Sequence, residues 1–211
     1  MSVIFSNLFG MDIRTYGLIL FSGMVVYQVF AGIVSQSSLS LLNNEAMIKQ
    51  TPIKLNLFPL SAAIASFVEG VLLLASLLIF MLILGQPLYF SGVWVPIILL
   101  FLFLFSFGIG VAASVVVVKI RDLGQAIPLG LQILLFLSPV FYKGSDLGGK
   151  LAYIIAMNPL SWFIEAFRGA LLYGDQPSIK QMTIIVTMSL VSMLLGSLLF
   201  KTQACEIPMR L

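Results

Sequence analysis

Runs of about twenty apolar residues recur along the chain, separated by short polar breaks. A run of that length crosses a hydrocarbon core of ~30 Å as one helix. In lipid a segment must satisfy its own backbone polar groups, and an unbroken rather than alternating apolar run does so as a helix. Apolar residues form 60% of the 211 and charged residues 9%, against roughly 45–50% and about 25% in soluble domains. The expected fold is therefore all-α: an integral membrane, polytopic helical bundle with five full transmembrane helices, forming one domain over residues 1–211.

The spans follow from the apolar runs. Residues 1–15 begin with an apolar scrap too short to cross, and lack the charged start and cleavage site of a signal peptide. Tyr16 to about Ser37 is the first full span, and its Gln28 is read as a helix-to-helix hydrogen bond in preference to a pore-lining group. Leu55 to Gly85 is the second, Gly92 to Val118 the third, Leu123 to Tyr142 the fourth and Gln181 to Phe200 the last. Within the third, Gly108 with Ala112 and Gly110 with Ser114 set small residues four apart, a face that admits another helix closely. Tyr89 and Trp94 stand where amphipathic rings prefer the membrane boundary.

Glu69 lies inside the second span, about 18 Å along from Leu57 at 1.5 Å per residue. A charged carboxyl at that depth costs at least ~2.5 kcal/mol, so it faces protein or water rather than lipid. Two roles suit it equally: a buried hydrogen bond to Ser66 or a neighbouring helix, or a place lining a path through the membrane.

Between the first two spans, residues 38–54 form a polar connection. Asn43 and Asn44 stand at a helix cap, Glu45 falls in the first turn, Lys49 and Lys54 follow, and Pro52 stops the helix. Arg121 and Asp122, after the third span, form a charge pair that either ties that end to the next span or to this connection, or simply stands in solvent. The connections 38–56, 119–124 and 201–211 carry six Lys/Arg in 36 residues, and 1–15, 86–92 and 143–180 carry five in 60. The denser set is expected on the cytoplasmic side.

Residues 138–174 are neither a clean span nor a plain loop. Pro139 removes a helix hydrogen bond, so the fourth span should break around Ser138. Asn158 followed by Pro159 reads as an N-cap and first helical residue. Leu160, Phe163, Ile164, Phe167 and Leu171 then form one apolar stripe, with Glu165 and Arg168 on the other face. Such a helix lies at an interface rather than spanning the bilayer.

Ser138-Pro139-Val140 with Tyr142, Asn158-Pro159-Leu160, Arg168, the Leu171-Leu172-Tyr173-Gly174 end, the Lys119-Ile120-Arg121-Asp122-Leu123 run and the Asn43-Asn44-Glu45 to Pro59 segment occur in an order that resembles a known family. It is the membrane permease subunit of bacterial type-2 ABC exporters, of the polysaccharide, O-antigen and teichoic acid branch. The resemblance covers about residues 3–200. It implies a bacterial cytoplasmic-membrane protein moving a lipid-linked polysaccharide. It also implies that Asn44, Glu45, Lys49, Pro52 and Lys54 belong to a coupling helix gripped by a separate ATPase subunit. The residues themselves also allow an ordinary cytoplasmic loop there. In the same reading, Glu69, Ser138, Pro139, Tyr142, Asn158, Pro159, Trp162, Glu165 and Arg168 belong to an external gate of short helices and to the translocation path. The family has an N-terminal cytoplasmic helix and a first span that this chain is expected to lack, as a truncated sequence or a shortened protein.

With no His and a single Cys, Cys205, metal clusters, disulfides and Cys-His nucleophile pairs are excluded. A net charge of +3 on so apolar a chain reports topology rather than nucleic-acid binding. Gly144 to Gly149-Lys150 fits G-x-x-x-x-G-K, but Leu151 follows where a Ser or Thr would hold Mg²⁺. The chain is thus no enzyme by itself and binds no cofactor. ATP and Mg²⁺ belong on a partner, an ABC ATPase in two copies, acting with a second permease copy. Tyr142, Tyr153, Trp162, Phe163 and Tyr173 read by themselves as an interfacial aromatic belt, and the resemblance implies instead that they stack on sugar rings. A drug or lipid exporter permease, or an ion-coupled carrier or channel, are the alternatives; several midplane ionisable groups and internal repeats would mark a carrier, and the sequence has Glu69 alone.

Overall fold

In a computed structural model, residues 13–50, 53–87, 89–141 and 157–203 are described. Among the described residues, four helices are long and apolar enough to cross a membrane: α1 (Ile13–Asn43), α3 (Leu57–Ile83), α4 (Trp94–Lys119, preceded by a 3₁₀ turn at Phe90–Val93) and α7 (Ile179–Gln203). A six-residue helix, α2 (Glu45–Gln50), joins α1 to the segment before α3, and α5 (Leu123–Leu137) and α6 (Pro159–Arg168) lie between α4 and α7. Every regular element among the described residues is helical, as the unbroken apolar runs require. The protein is an all-α polytopic membrane protein.

Of the five full spans expected, four are matched among the described residues. The fourth apolar run forms α5, which has 15 residues, about 22 Å and short of the ~30 Å core. It stops at Leu137 because the turn at Ser138 and Pro139 interrupts the ladder, with the Val140 N–H turning back to the Ser138 carbonyl at 2.7 Å. At the other end of the chain the difference runs the opposite way. α1 continues six residues past the expected end at Ser37. The hydroxyls of Ser38 and Ser40 donate to the carbonyls three residues back, at 2.7 Å each, so these polar side chains are satisfied within the helix and stay buried.

The chain packs as two units. The first comprises residues up to 28, 70–99 and 134–185. Here the apolar stripe of α6 is its core: Leu160, Phe163, Ile164, Phe167 and Leu171 are 0–5% exposed. α6 runs into a π-helical turn, Gly169–Tyr173, closed by Gly174 at φ +76°. The positive φ suits glycine, and the ring of Tyr89 fills the space where a Cβ would stand, 2.8 Å away. The Ser91 hydroxyl donates to the Ala170 carbonyl at 2.8 Å, tying the 3₁₀ turn to this widened turn.

The second unit comprises residues 29–69, 100–133 and from 186 onward. Both small-residue faces of α4 are used, each on a different partner. Gly108 abuts the backbone of α7 at Ser192 and Gly196, and Gly110 abuts Ser37 and the Ile33 carbonyl of α1. Ser189 and Ser192 of α7 add hydrogen bonds to the Phe101 and Phe105 carbonyls, both 2.8 Å. The Phe-rich part of α4 packs ring on ring, Phe105 on Phe30 and Phe103 on Phe67 and Phe107.

Candidate functional site

Within the first unit, the chemistry gathers around Arg168. Asn158 caps α6 as its sequence predicts, accepting from the Leu160 N–H at 3.0 Å with Pro159 at the first helical position. Its amide nitrogen also donates to the Ser138 hydroxyl at 2.9 Å, and that hydroxyl donates to the Leu134 carbonyl at 2.8 Å. One side chain therefore starts α6 and fastens it to the end of α5.

Arg168 corrects the expected placement. It lies on the buried side of α6, 4% exposed, while Glu165 is exposed. At 100° per residue Arg168 is one turn beyond Ile164 and borders the apolar stripe, whereas Glu165 points away from it. Its guanidinium donates to the carbonyls of Pro139 (2.7 Å), Val140 (2.7 Å) and Ile19 (2.8 Å) and to the Ser22 hydroxyl (3.3 Å). The planar five-donor fork is what reaches four acceptors at once. Burial draws its pKa down to about 10, with Tyr173, Glu165 and Tyr16 opposing that shift, so it stays charged at neutral pH. The Tyr16 hydroxyl closes the bracket on the Phe141 carbonyl at 2.9 Å. The segment broken by Pro139 thus has its free carbonyls satisfied by α6 and α1.

Other expected gate residues are not all in this bracket. Pro139 contributes its carbonyl. Trp162 is half-buried, and its carbonyl accepts from Gln181 Nε2 at 3.3 Å. Phe163 is fully buried, so it belongs to the core and not to an aromatic mouth. Tyr142 and the G-x-x-x-x-G-K run lie outside the described residues, as does Tyr153. Ser22, Gly23 and Ile19, the α1 side of the bracket, were missed by sequence reasoning; only Gly23, a glycine in a span, carried any signal.

In the second unit, α2 has no buried residue. The Asn44 carbonyl accepts the Ile48 N–H at 3.0 Å, and the Asn44 amide donates to the Ser40 carbonyl at 2.7 Å, binding the cap back onto α1. Glu45, in the first turn, accepts from Lys49 Nζ at 2.7 Å and meets Arg121 at 3.7 Å. The Lys49 hydrogen bond, and more weakly the two positive charges, hold its carboxyl below the usual range. Arg121 therefore reaches this connection. Asp122 and Lys54 are exposed, and Pro52 lies outside the described residues.

Glu69 is exposed on α3. No hydrogen bond joins it to Ser66, which is buried against Gly32, so the buried hydrogen-bond alternative does not hold among the described residues. Gln28 is likewise exposed, with no interhelical bond to a described residue.

Long apolar helices joined by a short exposed connection define a polytopic helical membrane protein. The chain matches the ABC-2 type transporter family over residues 1–172, and it belongs to that family. Two curated relatives, both O-antigen export system permease protein RfbA of Klebsiella pneumoniae, are 24% and 25% identical over 172 residues, 81% of this chain. The match spans 66% of each relative's length, just under two thirds.

Proposed function

We propose that the chain is the membrane permease subunit of an ATP-driven exporter of lipid-linked polysaccharide, of O-antigen, capsule or teichoic acid type. It resides as a multi-pass protein in the bacterial cytoplasmic membrane. Family membership supports the transport role, and the names of the two relatives support the cargo class. The observation that carries the coupling is α2, a helix of six residues with none buried. A helix so short is unstable alone in water, and its own fold fully buries none of its residues, with Ile48 packing only in part on the core. An exposed, charge-fastened element of this kind suits docking to another protein.

A separate ABC ATPase, present in two copies and holding the ATP and Mg²⁺, grips α2. This chain hydrolyses nothing by itself. A second permease copy completes the pathway, and exposed Glu69 belongs to its lining. When the ATPases close, they push on Asn44, Glu45, Lys49, Pro52 and Lys54. α1 runs straight into Asn44 and carries Ile19 and Ser22 near its start, so its movement strains the hydrogen bonds of Arg168. Release of those bonds frees Pro139, Asn158 and the helix that follows, opening the gate.

The test is purification with the candidate ATPase followed by ATP-dependent export in vesicles. The wild type should co-purify with the ATPase and export polymer, and Glu45→Ala should lose both. Export that survives inactivation of the ATPase would contradict the proposal.

A further inference from the structure

A cleft of about 680 Å³ opens in the second unit between the start of α3, the middle of α4 and the last turns of α7. That falls within the roughly 300–1,000 Å³ of small-molecule sites. Its wall is apolar: Pro59, Leu60, Phe107, Val111, Met193 and Phe200. Its existence follows from the packing. The Gly108–Gly196 contact sets how closely α7 lies on α4, and the Ser37 hydroxyl holds the Pro59 carbonyl at 3.2 Å, fixing the first turn of α3. The Ser197 hydroxyl, also in the lining, is already spent on the Leu194 carbonyl at 2.9 Å.

Among the described residues, the polar groups left for a ligand are Asn56 and Lys201, which line the cleft and are both exposed. They stand at helix ends, the depth of lipid headgroups, and no acidic side chain lines the cleft among the described residues. Lys54, Lys119 and Arg121 occur at the helix ends of the same unit. An apolar slot with the Lys201 ammonium at its headgroup end matches an acyl chain under an anionic phosphate, and basic pockets between transmembrane helices bind such lipids.

We infer that this cleft is a resident site for an anionic glycerophospholipid, its acyl chain lying against Leu60, Val111, Met193 and Phe200 and its phosphate on Lys201 and Asn56. The site goes beyond the export reading and is tested without any transport step, so failure of one leaves the other standing. Native mass spectrometry of the purified full chain, titrated with phosphatidylglycerol and phosphatidylethanolamine, is the measurement. One phosphatidylglycerol should be retained per chain with about fivefold preference, the worth of one lysine at a lipid surface. Lys201→Gln should abolish the preference, Lys180→Gln should leave it intact, and Leu60→Trp should reduce retention of both lipids. If Leu60→Trp does not fold, Met193→Trp fills the same slot. Equal retention of the two lipids, a preference that survives Lys201→Gln, or recovery of an isoprenoid-linked glycan from the site would overturn the inference.

Discussion

A Cβ on Gly23 would stand 2.5 Å from the Arg168 guanidinium and 3.1 Å from the backbone of Val140. The glycine makes room for the arginine head, whose Nη2 is pinned by the Ile19 and Val140 carbonyls. Gly23→Ala should therefore break charged hydrogen bonds worth about 1.5–3 kcal/mol each. Thermal melting of the detergent-solubilised protein should show a clear fall, and an unchanged midpoint would mean that the bracket is not stabilising.

Arg168→Lys keeps the charge but not the planar fork. Three ammonium donors on one nitrogen cannot serve Pro139, Val140, Ile19 and Ser22 together, so at least one of these four buried acceptors loses its charged donor, at a cost of about 1–3 kcal/mol. The variant should insert normally, melt lower and show a leaky gate. Wild-type melting would argue against the shared role of the four acceptors.

Asn158 has two functions that can be separated. Asn158→Asp retains the cap on Leu160 and loses the donor to Ser138, while Asn158→Ala loses both. The alanine variant should be less stable by about 1–2 kcal/mol, cap and hydrogen bond together, with the aspartate between it and the wild type. Melting curves of the three proteins check the order.

The carboxyl of Glu45 is held below its ordinary range by Lys49 and Arg121. A carboxylate with a lowered folded pKa contributes above its unfolded pKa, and the contribution is lost as pH falls through the folded value. Binding of the ATPase should therefore be flat from pH 8 down to about pH 5 and weaken only in the acid range below the ordinary carboxylate pKa. Glu45→Gln should remove that acid limb; binding lost already between pH 7 and 6 would point to another group.

Much of this was legible because its signals are local. Asn158-Pro159 declares a helix start within two residues, and the stripe from Leu160 to Leu171 sets its buried face. Gly108 and Gly110 announced close helix contacts by spacing alone. What stayed hidden depends on partners distant in sequence. Arg168 was placed on the polar face by its charge, although its angle put it beside the stripe, and only the carbonyls freed at Pro139 and those of α1 explain its burial. Arg121 found Glu45, 76 positions away, by no signal that a sequence window contains. The serines after Ser37 looked like loop because they are polar, yet their hydroxyls bond back into α1.

The central claim is that another polypeptide drives this bundle by holding α2 from the cytoplasmic side. With Cys205 replaced by Ser, a single cysteine at Met47, which is 51% exposed on α2, gives a direct reading. In inverted vesicles Met47→Cys should cross-link to the ATPase subunit and be shielded by it from an impermeant maleimide, and in intact cells it should remain unlabelled. Labelling of that cysteine from outside intact cells would contradict the claim.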